Sequence, residues 1–105
     1  MRFIETTVFT RRITEAMSDR DYAVLQASLL RRPTQGDVIE GTGGVRKLRW
    51  GEAGRGKRGS LRVIYYWHPE RGIFLMLFLY RKNQQNDLNP AQRRTLAAIV
   101  REEFA

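Results

Sequence analysis

Residues 73–80 read Ile-Phe-Leu-Met-Leu-Phe-Leu-Tyr, eight positions without a polar break. A membrane-spanning helix needs about 20 apolar residues, so this run is far too short to be one. Successive residues of a strand face opposite ways, and a strand that is apolar at every position must be covered on both sides. The run therefore belongs at the centre of a sheet. The 105 residues suffice for one domain built around it.

Its neighbours can be read from periodicity. Over 61–67, Leu61, Val63, Tyr65 and Trp67 alternate with Arg62, Ile64 and Tyr66, all in a segment rich in β-formers. Over 45–50, Arg46, Leu48 and Trp50 fall on one face and Lys47 and Arg49 on the other. A short first strand is expected over 2–6. Residues 5–17 carry Val8, Phe9, Ile13, Ala16 and Met17 at helical spacing. Ser18 can cap a second helix whose stripe is Tyr22, Leu25, Leu29 and Leu30, ended by Arg31-Arg32-Pro33. Asn89, Pro90 and Gln92 form the start signal of a last helix, with Leu96, Ile99, Val100 and Phe104 as its apolar stripe. Residues 34–44 and the four-glycine segment 51–59 read as loops. The expectation is a single α+β domain over 1–105. Its antiparallel sheet packs in two layers on an N-terminal helical hairpin and a C-terminal helix.

Charge narrows the function. Nineteen Lys and Arg against eleven Asp and Glu give a net +8 and a pI near 10.8. Between positions 46 and 62 lie Arg46, Lys47, Arg49, Arg55, Lys57, Arg58 and Arg62, opposed only by Glu52. Protecting a sheet edge from aggregation rarely takes seven cations of one sign, so the skew favours an anionic partner such as nucleic acid. The chain has no cysteine, and its N-terminus lacks the apolar run of a signal peptide, so a cytoplasmic protein is expected. Ordinary active-site signals are weak. The lone His68 sits in a turn sequence, and no paired histidines or acidic cluster suggest a metal or another cofactor. Gly41-Thr42-Gly43-Gly44 lacks the Gly-Lys-Ser/Thr ending of a phosphate loop and reads as a turn before a strand.

Arginine, lysine and tyrosine remain. Lys47 and Arg49 share one strand face, Arg62 and Tyr66 share one on the next, and Arg81 and Lys82 follow the central strand. If these strands are neighbours, the cations converge where guanidinium groups can hold phosphate bidentately. Of Tyr65 and Tyr66, alternation must bury one. RNA carries its own nucleophile, the 2′-hydroxyl, so such a surface could bind RNA or cleave it, the cations stabilising the pentacovalent phosphate.

Several stretches resemble one family. They are Phe3-Ile4-Glu5-Thr6 with Phe9-Thr10, the run from Gly41 to Trp50, Gly56-Lys57-Arg58-Gly59-Ser60-Leu61-Arg62-Val63-Ile64-Tyr65-Tyr66, and Tyr80-Arg81-Lys82-Asn83 with Asp87-Leu88. Together they are similar to the RelE/HigB-like toxins of bacterial type II toxin–antitoxin systems, in the RelE/ParE superfamily. That resemblance implies a RelE-like fold with a curved sheet, and a metal-independent endoribonuclease cutting mRNA in the 30S A site of the ribosome. It implies inhibition of translation and neutralisation by an acidic antitoxin, with no membrane partner. By matching motif, Arg62, Lys57 and Lys82 would be catalytic, and Lys47, Arg49, Arg55, Arg58, Tyr66 and Arg81 would bind RNA. The alternative within the superfamily is a ParE-like gyrase inhibitor or a plain nucleic-acid-binding module. The chain departs from the family in one respect: many members place a tyrosine in the C-terminal segment, and 84–90 contains none.

Overall fold

A computed structural model describes residues 1–51 and 61–105. The elements run β1 (Arg2–Glu5), α1 (Thr7–Ala16), α2 (Asp19–Arg31), β2 (Asp37–Val38), β3 (Arg46–Trp50), β4 (Leu61–His68), β5 (Ile73–Arg81) and α3 (Pro90–Glu103). The sheet has five strands in the order β1-β5-β4-β3-β2. The domain is α+β, as its periodicity implied. The wholly antiparallel sheet is corrected, because β1 pairs with β5 in parallel, from Arg2 beside Ile73 to Glu5 beside Met76. A strand that runs into a helix along the sheet edge, not into a hairpin turn, is free to lie in this direction.

The central run behaves as its composition requires. Phe74, Met76 and Leu79 join Phe9, Ile13, Leu25 and Leu29 in a core under the helical hairpin, together with Leu48, Leu61, Val63 and Tyr65. Leu75, Leu77 and Tyr80 turn the other way and join Val45, Ile64, Leu88, Leu96 and Val100 under α3. The hairpin-on-sheet layer is thus joined by α3 across the second face. Fully burying side chains such as Leu25 and Leu29 is worth about 1.5–3 kcal/mol each.

Both central-face patterns depend on one irregularity. Ile64 pairs with Phe78 but Tyr65 pairs with Met76, so Leu77 is an extra residue in β5. This bulge shifts the alternation by one place. Beyond it, Tyr80 faces α3 and Arg81 faces the hairpin with Leu61 and Leu79. Among the described residues no strand pairs with the outer edge of β5 once β1 ends, and α1 covers it. The Thr6 hydroxyl donates to the Leu77 carbonyl at 2.8 Å, and Arg12 donates to the Leu79 carbonyl at 2.9 Å. The far end of β1 is tied to α2, where the Tyr22 hydroxyl donates to the Glu5 carboxylate at 2.7 Å.

Caps fall where the sequence placed them. The Ser18 side chain accepts from the Asp21 amide, and Asn89 and Gln92 form a reciprocal capping box with Pro90 at the first helical position. Strand β2 lies inside the segment read as a loop. It is two residues long and exposed, so it carries no periodicity to detect. Residues 41–44 form a turn, with Gly44 at φ 111° and an added Cβ only 3.1 Å from the Tyr66 ring. The Thr42 hydroxyl is committed internally, donating to Ile39 and accepting from Val45. No helix among the described residues is long and apolar enough to cross a membrane.

Candidate nucleic-acid interface

Pairing between β3 and β4 sets Arg49 directly opposite Arg62, and pairing between β4 and β5 sets Arg62 opposite Tyr80. The three residues form one row across the α3 face of the sheet. Lys47 lies two places along β3 on the same face, opposite Ile64. Two like charges directly across a strand pair normally destabilise it. Here one of them, Arg62, is only 8 % exposed, which sharpens the cost of the juxtaposition. A phosphate seated between the two guanidinium groups would reverse the sign of that interaction.

The approach to α3 completes the cluster. The Asp87 carboxylate accepts from Lys47 Nζ and from an Arg93 terminal nitrogen, each at 3.3 Å, and from the Leu88 amide at 2.8 Å. Desolvation pushes the Asp87 carboxyl up, but the Leu88 amide, Lys47 and Arg93 together outweigh it and hold the group below its ordinary value. Tyr80 moves the opposite way. Burial raises its hydroxyl first and the Asp87 charge raises it further, while Arg62 and Arg93 offset only part of this. The hydroxyl stays protonated and is a potential donor. Buried beside these charges, it has no hydrogen-bond partner among the described residues, and neither has Arg93 Nε. Such orphans are rare and mark positions where another group is wanted.

The sequence-derived candidates divide. Lys47, Arg49 and Arg62 are brought together as expected. Tyr66 shares their face but sits about 13 Å along β4 from Arg62, at ~3.3 Å per residue. There it packs on Phe104 at 5.5 Å between ring centroids and against Gly44, half-buried against the core under α3. Its neighbour Tyr65 is the fully buried one, on the hairpin face. Arg81 is turned by the bulge to the opposite face from Arg62. Lys82 is exposed in the turn after β5. Arg55, Lys57 and Arg58 lie outside the described residues. Asp87 and Arg93 were missed as site residues, and Tyr80 figured only in the apolar run and in the Tyr80-Arg81-Lys82-Asn83 stretch. The cap at Asn89 was the available signal, since it fixes Arg93 in the first turn of α3 beside the sheet. His68 is a packing residue, its ring 4.5 Å from that of Phe104 and its Nδ1 accepting from the Arg71 amide.

Comparison of the chain with models of known protein families finds no match.

Proposed function

We propose that this protein is a toxin of a type II toxin–antitoxin system with a RelE-like fold, a ribosome-dependent endoribonuclease acting on mRNA in the cytoplasm. The observation that carries the reading is the Arg49–Arg62–Tyr80 row. It is a partly desolvated pair of guanidinium groups with a protonated hydroxyl beside them, on a sheet face that also carries Lys47. Charge of this kind acts on a phosphate far more strongly than it would in water, and it is fixed before the substrate arrives. The substrate's 2′-hydroxyl attacks the adjacent phosphorus, and the bond to the 5′-oxygen breaks. Arg62, with Arg49, stabilises the charge that builds on the equatorial oxygens. A lysine accepts the 2′-proton and an acid returns one to the leaving oxygen. By the resemblance, Lys47 and Lys57 match family cations that bind phosphate or transfer protons, and Lys82 matches a second basic position, without the match choosing the base among them. Tyr80 is suited to occupy the place of the tyrosine absent from 84–90.

The net +8 charge also supports an acidic antitoxin as partner, since complementary charge accelerates encounter. The experiment that tests the reading is to induce the protein and map mRNA 5′ ends against the reading frame. Cuts in register with codons, dependent on translation, are expected. Growth arrest with intact mRNA and trapped gyrase–DNA complexes would replace the nuclease with a gyrase poison.

A further inference from the structure

On the hairpin side of the sheet, at the end of β5, lies a cavity of about 550 Å³ between α1 and the turn that follows the strand. Three guanidinium groups line it, those of Arg11, Arg12 and Arg81, with the amides of Gln84 and Gln85 and one carboxylate, Glu15. Glu15 stands four residues from Arg11 on the same helix, a spacing that often forms an ion pair. Here it does not: no ion pair joins Arg11 or Arg12 to a carboxylate among the described residues. The two cations are held apart from acids, and Arg12 is also fixed in place. It is anchored by its bond to the Leu79 carbonyl and by the Phe78 ring, whose centroid lies 4.5 Å from its guanidinium carbon. One of its five N–H donors is thereby used, and others remain for a ligand.

The position of the cavity matters as much as its charge. Tyr80 and Arg81 are consecutive, and strand alternation sends them to opposite faces. The end of β5 therefore has Arg62 on one side and the Arg11–Arg12–Arg81 cavity on the other. We propose that this cavity is a second phosphate-binding site. It takes a backbone phosphodiester of the strand held by the Arg49–Arg62 row as that strand passes around the end of β5. The volume suits a nucleotide-sized group, within the usual range of about 300–1,000 Å³ for ligand pockets. That the strand is RNA rests on the function proposed above; that the cavity binds phosphate rests on its own residues.

The test is salt-dependent binding of a labelled single-stranded oligoribonucleotide, followed by fluorescence anisotropy. Every phosphate that the protein ceases to neutralise should flatten the slope of log affinity against log salt by about 0.7 for single strands. Arg11 is exposed and its side chain makes no hydrogen bond to the described residues, so Arg11→Gln should leave the thermal unfolding midpoint unchanged. The expected result is a slope flattened by up to one phosphate in Arg11→Gln and in Arg81→Gln, and by one phosphate in the double variant, since the cavity holds a single phosphodiester. Arg49→Gln should flatten it independently. Unchanged slopes in both cavity variants, with a flattened slope in Arg49→Gln, would overturn the second site and leave RNA binding intact. Flattening in Arg11→Gln but not in Arg49→Gln would keep the cavity and remove the sheet-face site. Absence of binding by the parent protein would overturn both. If Arg81→Gln fails to fold, Arg11→Gln alone decides.

Discussion

Two tyrosines on adjacent strands are buried to nearly the same degree and are treated in opposite ways. On the hairpin face, the Tyr65 hydroxyl donates to the Pro33 carbonyl at 2.8 Å and accepts from the Gly36 amide at 3.0 Å. Beside it, Arg46 donates to the carbonyls of Thr34 and Gly36. These polar groups tie the segment before β2 to the sheet. On the α3 face, the Tyr80 hydroxyl is buried with no partner among the described residues, next to Arg62, Asp87 and Arg93. A buried polar group left unsatisfied costs about 1–3 kcal/mol. One face uses its polar atoms to hold the fold together. The other carries a polar surplus, which is what a binding site looks like before its ligand arrives.

Four substitutions can break that contrast. The largest effect is expected from Arg62→Ala. Removing one preorganised donor from the transition state should cut RNA cleavage by about 100- to 1,000-fold, with the far-ultraviolet dichroism retained. A folded Arg62→Ala protein that still arrests growth fully would remove Arg62 from the chemistry. Next is Tyr65→Phe, which strands the Gly36 amide in the interior. It should lower unfolding free energy in urea by about 1–3 kcal/mol without a comparable effect on RNA binding. A fully stable Tyr65→Phe would mean that the hairpin-face network is dispensable.

Asp87→Asn should cost less, at most about 1 kcal/mol, because the pair is half-exposed and screened by solvent. Its pH dependence is the sharper readout. The carboxyl lies below its ordinary value when folded, so its contribution is present above the unfolded pKa and disappears as pH falls through the folded one. The stability difference between parent and variant should therefore close on acidification; a difference that persists would show that the ion pairs are not its source. The smallest effect on stability is expected from Tyr80→Phe, near zero or slightly favourable, since no hydrogen bond to the described residues disappears. RNA cleavage should fall all the same. A clear loss of stability would show that the hydroxyl already has a partner, and the contrast between the two tyrosines would collapse.

How much of this was legible in the sequence depended on whether a signal was local. The eight-residue apolar run, the Ser18 cap and the Asn89–Gln92 box all survive in the structure because each is set by chemistry within a few residues. The sharing of a face by Lys47 and Arg49 was equally plain from a period of two. Adjacency of β3 and β4 then brought Arg62 to them. The parallel direction of β1 was not legible, because its partner lies about seventy positions away and four residues at an edge carry no mark of direction. Asp87 and Arg93 were hidden for a similar reason. Their role exists only once the loop before α3 folds back over β3.

The extra residue at Leu77 was invisible in a strand where every position is apolar, and its effect reaches furthest. Alternation is a count of odd and even, and one inserted residue inverts it for everything downstream. Were Leu77 paired in the ladder instead of bulged, Arg81 would turn to the face of Arg62 and Tyr80 would face the hairpin. The molecule would then carry three arginines crowded on one side and an aromatic ring in place of the cation lining the cavity on the other. Deleting Leu77 should therefore leave both faces as they are, because the pairs from Ile64–Phe78 to Leu61–Arg81 already sit in the register of a ladder without it, whereas forcing Leu77 into the ladder would exchange the chemistry of the two faces with net charge and every named cation unchanged.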